Sequence, residues 1–238
     1  LRAEQLRLRE QGIYRGIGLA TFVEVTNPSP MFYGAGGARI AAQDGCTIKL
    51  EPSGVITCAT GVTEQGQGTE AVIAQVAATA FGVGTDKVRV ITGDTDKTPY
   101  GGGTWASRGA GIGGEAAYQA ARAHLGQVLT TAGVMLQSDP ETLEIADGWV
   151  VDRDNGAHRL GLDDLARTVY YRANELPLDH QPEMMATKHF RVKDYPFVFT
   201  NGVQASWLEV DIGTGFVTLL DHWCVEDCGR IINPQLVD

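Results

Sequence analysis

The sequence predicts an α+β fold with mixed or antiparallel sheets and packed helices. Three observations predict it. Two pairs of alternating runs are joined by tight turns, as hairpins are. Two Ala-rich runs are long enough for helices. Strands and helices follow one another without the strict alternation of a doubly wound parallel sheet. The 238 residues are 43% hydrophobic and 20% charged. That suits one large domain or two small ones with a real core, and argues against disorder.

Residues 1–12 read as a short amphipathic helix and 17–25 as a strand, followed by the Pro- and Gly-rich loop TNPSPMFYGAGG. Residues 46–60 read as a hairpin turning at Pro52-Ser53-Gly54. GVTEQGQG is a turn that opens a helix near Thr69, with Gly82 as its C-cap. Residues 87–94 form the next strand. A glycine-dense stretch, TPYGGGTWASRGAGIGGE, precedes an Ala-rich helix over about 114–137. A second hairpin turns at Asp147-Gly148, and LGLDDLARTVYY is a helix. Residues 184–225 read as a β meander, with its last two strands around Gly213-Thr214-Gly215.

The net charge of −10 argues against a nucleic-acid partner, since an acidic chain repels phosphate backbones at long range. No apolar run approaches the roughly 20 residues needed to cross a bilayer, and nothing at the start reads as a signal peptide. A cytoplasmic chain is expected. Leu1 and the abrupt end at Asp238 suggest a piece of a longer polypeptide. Cys46, Cys58, Cys224 and Cys228 contain no CxxC pair and are expected to be reduced thiols. The five histidines are scattered, and His124 reads as a surface or packing residue. The acids of GDTDKTP do not continue into an EF-hand pattern, so Asp94 and Asp96 read as turn residues.

Two glycine-rich loops carry the chemistry. The first holds Gln65, Gly66, Gln67 and Gly68 at a strand-to-helix turn. Free N–H groups at a helix start favour anions, and the glutamines add uncharged donors and acceptors. The second holds Gly103, Thr104, Trp105, Ala106, Ser107 and Arg108 ahead of the long helix. There the hydroxyls and the planar guanidinium suit a phosphate. Together they fit one elongated anionic ligand across two helix starts. GAGIGG matches GxGxxG, but its strand ends too far upstream for a dinucleotide fingerprint. Asp227 and Asn233, in VEDCGRIINP, are placed to cap turns and to contact a ligand.

GVTEQGQGTEAVIAQVAA, VRVITGDTDKTPYGGGTWASRG and EVDIGTGFVTLLDHWCVEDCGRIINP occur in this order. The set resembles the molybdopterin-binding large subunit of the molybdenum hydroxylases, the family of xanthine dehydrogenase, aldehyde oxidase and carbon monoxide dehydrogenase. The resemblance implies that residues 1–238 are part of the molybdopterin-binding region, with more polypeptide or partner subunits on both sides. It implies a molybdenum cofactor, often the cytosine dinucleotide form in bacteria, held by Gln65–Gly68 and Gly103–Arg108, with a later contact from Asp227 and Asn233. The glycines would then make room for the cofactor's phosphates and rings. The metal would be held through the pterin dithiolene and by no side chain. Iron–sulfur clusters and, in most members, FAD are implied on other domains or on iron–sulfur and flavin subunits. The implied reaction hydroxylates an aldehyde or an electron-poor heterocycle with oxygen from water. The family's general-base glutamate lies in a GxGE segment that is missing here, and Glu115 is not assigned that role. The alternative is a cofactor-free assembly module of a split large subunit that docks to the partner completing the site.

Overall fold

The computed structural model describes residues 1–37, 39 and 41–237. Along the chain the elements are α1 (Arg2–Arg9), β1 (Ile13–Thr26), β2 (Asp44–Leu50), β3 (Ile56–Thr60), α2 (Thr69–Phe81), β4 (Val88–Ile91), α3 (Gly114–Leu136), β5 (Leu143–Ala146), β6 (Trp149–Asp152), β7 (His158–Gly161), α4 (Leu162–Tyr171), β8 (Met185–Phe190), β9 (Val198–Asp211), β10 (Val217–Asp227) and α5 (Pro234–Val237). The chain divides into two units, Leu1–Thr26 with Val198–Asp238, and Asn27–Phe197.

The first unit is a three-stranded antiparallel sheet in the order β1-β9-β10. Thr26 pairs with Val198 and Ile13 with Asp211, so β1 and β9 run together over their full length. The strand therefore begins four residues before the expected start. The β9–β10 turn is closed by the Asp211 carboxylate, which accepts from Gly213 N at 2.8 Å. α1 buries none of its residues. Arg15 tethers it, pairing with Glu4 at 2.6 Å and with Glu209 through Nε at 2.7 Å.

The second unit is built on a four-stranded mixed sheet, β4-β3-β2-β8. β2–β3 is the expected hairpin, with Cys46 opposite Thr60. β3 and β4 are parallel, because α2 carries the chain back over the sheet between them. α2 and α3 bury their apolar stripes on this sheet. Ile48, Leu50, Ile56, Ile73 and Phe81 meet Ala116, Ala117, Ala120 and Ala121 in one core. The small alanine side chains let α3 lie close to the strands. α2 ends at Gly82, whose φ of 90° suits glycine and whose missing Cβ leaves room for the Ile145 carbonyl. β5, β6 and β7 form a separate antiparallel sheet, of which the sequence pattern does not predict β7.

The meander over 184–225 is corrected. β8 pairs with β2, and β9 and β10 belong to the other unit. Alternation reveals a strand but not its partner, and residues 191–197, with Pro196, break the run. All four cysteines are free. Cys46 and Cys58 lie buried with sulfurs 3.2 Å apart. His124 is fully buried, so it is a packing residue and not a surface one. No helix among the described residues is long and apolar enough to cross a membrane.

Candidate functional site

Both glycine loops lie in the second unit, and hydrogen bonds join them edge to edge. Thr104 Oγ1 donates to Thr63 O at 2.7 Å and accepts from Thr63 N at 2.7 Å. Gln65 Nε2 donates to Thr104 O at 3.2 Å. The start of the long helix also packs close against the first loop's segment. A Cβ on Gly109 would lie 3.3 Å from Thr69 Oγ1, and one on Gly113 would lie 2.7 Å from Val62. The structure thus brings Gln65–Gly68 and Gly103–Arg108 into one continuous surface.

The glycines fall into two classes. Gly66, Gly68 and Gly103 have φ of 99°, 85° and 71°, and a Cβ on any of them would meet nothing within 4 Å. They hold left-handed conformations that most side chains resist, and they face open space. Gly61, Gly101, Gly102, Gly111 and Gly113 are different. A Cβ there would strike Asp44, Arg108, the Asn27 amide or Val62. The expectation that the whole dense stretch makes room for a ligand is corrected: most of it makes room for the protein's own side chains. GAGIGG itself is a π-helical turn, Gly109–Gly113, running into α3.

Arg108 is buried in an ion pair, contrary to expectation. Its side chain and that of Asp44 are both 0% exposed and pair at 2.9 Å. Nη1 also donates to Ala41 O at 2.7 Å and Nη2 to Gln43 O at 2.6 Å. The guanidinium fork expected to face a phosphate is occupied inside the protein. Asp44 in turn accepts from Gly102 N at 3.1 Å and Gly45 N at 3.0 Å. Burial pushes the Asp44 carboxyl up and the Arg108 guanidinium down, and their mutual attraction opposes both shifts. The pair clamps the second loop to the start of β2. It overdetermines a costly conformation, since Ala106 and Ser107 have φ of 47° and 45°. Two consecutive non-glycine residues there cost about 1–2 kcal/mol each. Trp105 is anchored alongside, its Nε1 donating to Gly102 O at 3.0 Å and its ring lying under Arg108.

Gln65 reaches across to Thr104, whereas Gln67 folds back onto its own loop. Gln67 Nε2 donates to Thr69 Oγ1 at 2.7 Å, and Gln67 Oε1 accepts from Gln65 N at 2.7 Å. Asp227 and Asn233 lie in the other unit. Asp227 accepts from Gly229 N and Asn233 from Gln235 N, each at 3.1 Å, which are capping roles.

Sequence reasoning missed two residues of the site. Asp44 carried one signal: an acid opening a strand whose alternate residues Cys46, Ile48 and Leu50 are apolar. Glu64 stood within the motif but beside more conspicuous glutamines. Its carboxylate accepts from the backbone N–H groups of Gln65, Gly66, Gly68 and Glu70. Among the described residues no group of three or more His, Cys, Asp or Glu side chains could hold a metal ion.

Two joined loops at neighbouring helix starts thus form one surface whose left-handed glycines leave the backbone open to close approach. A family model of the molybdopterin cofactor-binding domain matches residues 1–238, and the chain belongs to that family, within the molybdenum hydroxylase large subunits. It is similar to the nicotine 6-hydroxylase large subunit of Paenarthrobacter nicotinovorans, 34% identical over 97% of this chain and 28% of the relative. It is also similar to the carbon monoxide dehydrogenase large chain of Hydrogenophaga pseudoflava, 30% identical over 94% of this chain and 27% of the relative. The crystal structure of quinoline 2-oxidoreductase from Pseudomonas putida 86 superposes with a TM-score of 0.75 at 32% identity, over 99% of this chain and 30% of that one. The chain therefore spans under a third of the length of each relative.

Proposed function

We propose that this chain cradles the molybdopterin of a molybdenum-dependent hydroxylase or dehydrogenase. The observation that carries the proposal is the open glycine surface at Gly66, Gly68 and Gly103, held by the Thr63–Thr104 and Gln65–Thr104 bonds. A cofactor of fused rings needs close backbone approach, and the open glycines give it. Gln65, Gly66, Gln67 and Gly68 would line one part and the backbone of Gly103–Ser107 the other. Arg108 would act through Asp44, keeping the second loop in place. When bound, the group would supply a metal centre that accepts electrons from the substrate as oxygen from water is inserted.

The substrate is proposed as an N-heterocycle or an aldehyde. Two of the relatives are named for N-heterocycles, nicotine and quinoline, which supports the first of these. A cytosine dinucleotide form of the cofactor, iron–sulfur and flavin partners, and a cytoplasmic setting complete the reading. The test is to purify the parent protein from a host that makes molybdopterin, then assay metal by mass spectrometry and released nucleotide by chromatography. Near-stoichiometric molybdenum with CMP is expected. Protein that folds and carries neither would overturn the cradle.

One observation favours docking to further polypeptide, whether in an intact or a split large subunit. On one face of β1-β9-β10, Leu19, Val23, Phe199, Val203, Trp223 and Val225 are all exposed. Soluble monomers seldom leave so large a contiguous apolar patch uncovered. The remainder of the large subunit is the proposed cover, since the relatives are more than three times as long. In the full-length protein, Val225→Asp is expected to lower the yield of soluble large subunit severalfold. Unchanged yield and subunit stoichiometry would remove this face from the interface.

A further inference from the structure

A glycine-rich turn at a helix start is ordinarily read as a place for an external anion. Here the anion is part of the chain. Glu64 Oε1 accepts from Gln65 N at 3.0 Å, Gly66 N at 2.7 Å and Gly68 N at 3.1 Å. Its Oε2 accepts from Glu70 N at 3.0 Å, inside the first turn of α2. One half-buried carboxylate thus gathers four amides that point to a common centre. We propose that Glu64 is a resident anion that closes the α2 N-terminus and fixes the first glycine loop in its open form, so that an anionic part of the ligand is received elsewhere.

The geometry gives the residue two consequences. First, the positive end of the α2 dipole is neutralised within the chain, so a phosphate gains little there. Second, the left-handed turns at Gly66 and Gly68 are pinned by the amides that Glu64 holds. That is what leaves the glycine surface facing outward, beside Gln65 and Thr104. The same bonds, with that from Glu70 N foremost, lower the Glu64 carboxyl below its usual range, so it remains charged at neutral pH. Glu64 is therefore a positioning residue. Its link to a cofactor rests on the molybdopterin reading, whereas its closure of the helix start does not.

Hydrogen exchange of the 61–81 segment, read by mass spectrometry on the full-length protein with and without inorganic phosphate, tests this. The wild-type segment is expected to be protected and indifferent to phosphate. Glu64→Ala is expected to exchange about tenfold faster or more, with phosphate restoring protection by entering the vacated centre. Glu64→Gln keeps one acceptor oxygen but turns N–H groups toward Glu70 N, so it should fall between the two. It also serves if the alanine variant fails to fold. Phosphate protecting the wild-type segment would overturn the proposal, because the centre would then be open. So would wild-type exchange in Glu64→Ala, or a loss of protection that phosphate does not restore. Both cofactor-loaded and cofactor-stripped protein are measured. Protein that never carries molybdopterin sinks the cradle reading, while the stripped-protein exchange still decides the role of Glu64.

Discussion

Asp44→Ala is expected to destabilise the second unit by about 3–5 kcal/mol, because it leaves the Arg108 charge buried and unpaired. Nothing else described within the site can take the carboxylate's place. Arg108 keeps the Ala41 and Gln43 carbonyls, but these offer no full negative charge. Gly102 N loses one of its two acceptors, so the second loop loosens as well. Arg108→Ala should cost a similar amount for the mirror reason. The double variant should cost less than the sum, since neither charge is then stranded. Denaturant unfolding monitored by tryptophan fluorescence measures all three. A loss below about 1 kcal/mol for Asp44→Ala, or strict additivity, would mean that the pair does not clamp the loop.

The second large effect is on pH. His124 lies on α3 with Nε2 accepting from Leu50 N at 3.2 Å and Nδ1 against Gln127 Oε1 at 3.2 Å. An acceptor Nε2 requires the neutral ring, and burial lowers the pKa to about 4. The unfolded chain takes up this proton near its ordinary value of about 6.5. Stability from His124 is therefore fully present above that value and is lost as pH falls from it toward 4. The loss amounts to about 3 kcal/mol, at roughly 1.4 kcal/mol for each pH unit between the two values. His124→Gln keeps an acceptor for Leu50 N without a titrating ring, so its stability should be much flatter over this range. Equal pH slopes for wild type and variant would contradict the assignment.

The helices and hairpins were legible because their signals are local. The Ala-rich run of α2 ended at Gly82, and Asp147-Gly148 turned a hairpin where expected. Strand partners outside the hairpins were not legible, because β8 pairs with a strand about 140 residues earlier and alternation carries no record of that. The two glycine loops were legible as a pair, but the roles within them were not. Arg108 looks in sequence like a free guanidinium among glycines. Only the fold brings Asp44, 64 residues earlier, against it. The same contact explains Gly101 and Gly102, which composition alone attributes to a ligand. Glu64 was hidden for the opposite reason: its partners are its immediate neighbours, and a charged residue in a turn reads as solvated.

On the proposed reading, Gly66, Gly68 and Gly103 are shaped for a cofactor, whereas Gly113 is shaped by Val62. Asparagine tolerates left-handed backbone better than other side chains do, yet it fills the space in front of it. Molybdenum content, measured with melting temperature, therefore separates the two classes in Gly68→Asn, Gly103→Asn and Gly113→Ala. The asparagine variants are expected to lose molybdenum severalfold with little change in melting temperature. Gly113→Ala is expected to lower the melting temperature, with molybdenum lost only as far as the protein unfolds. Full molybdenum in Gly68→Asn and Gly103→Asn would mean that the open glycines face no cofactor.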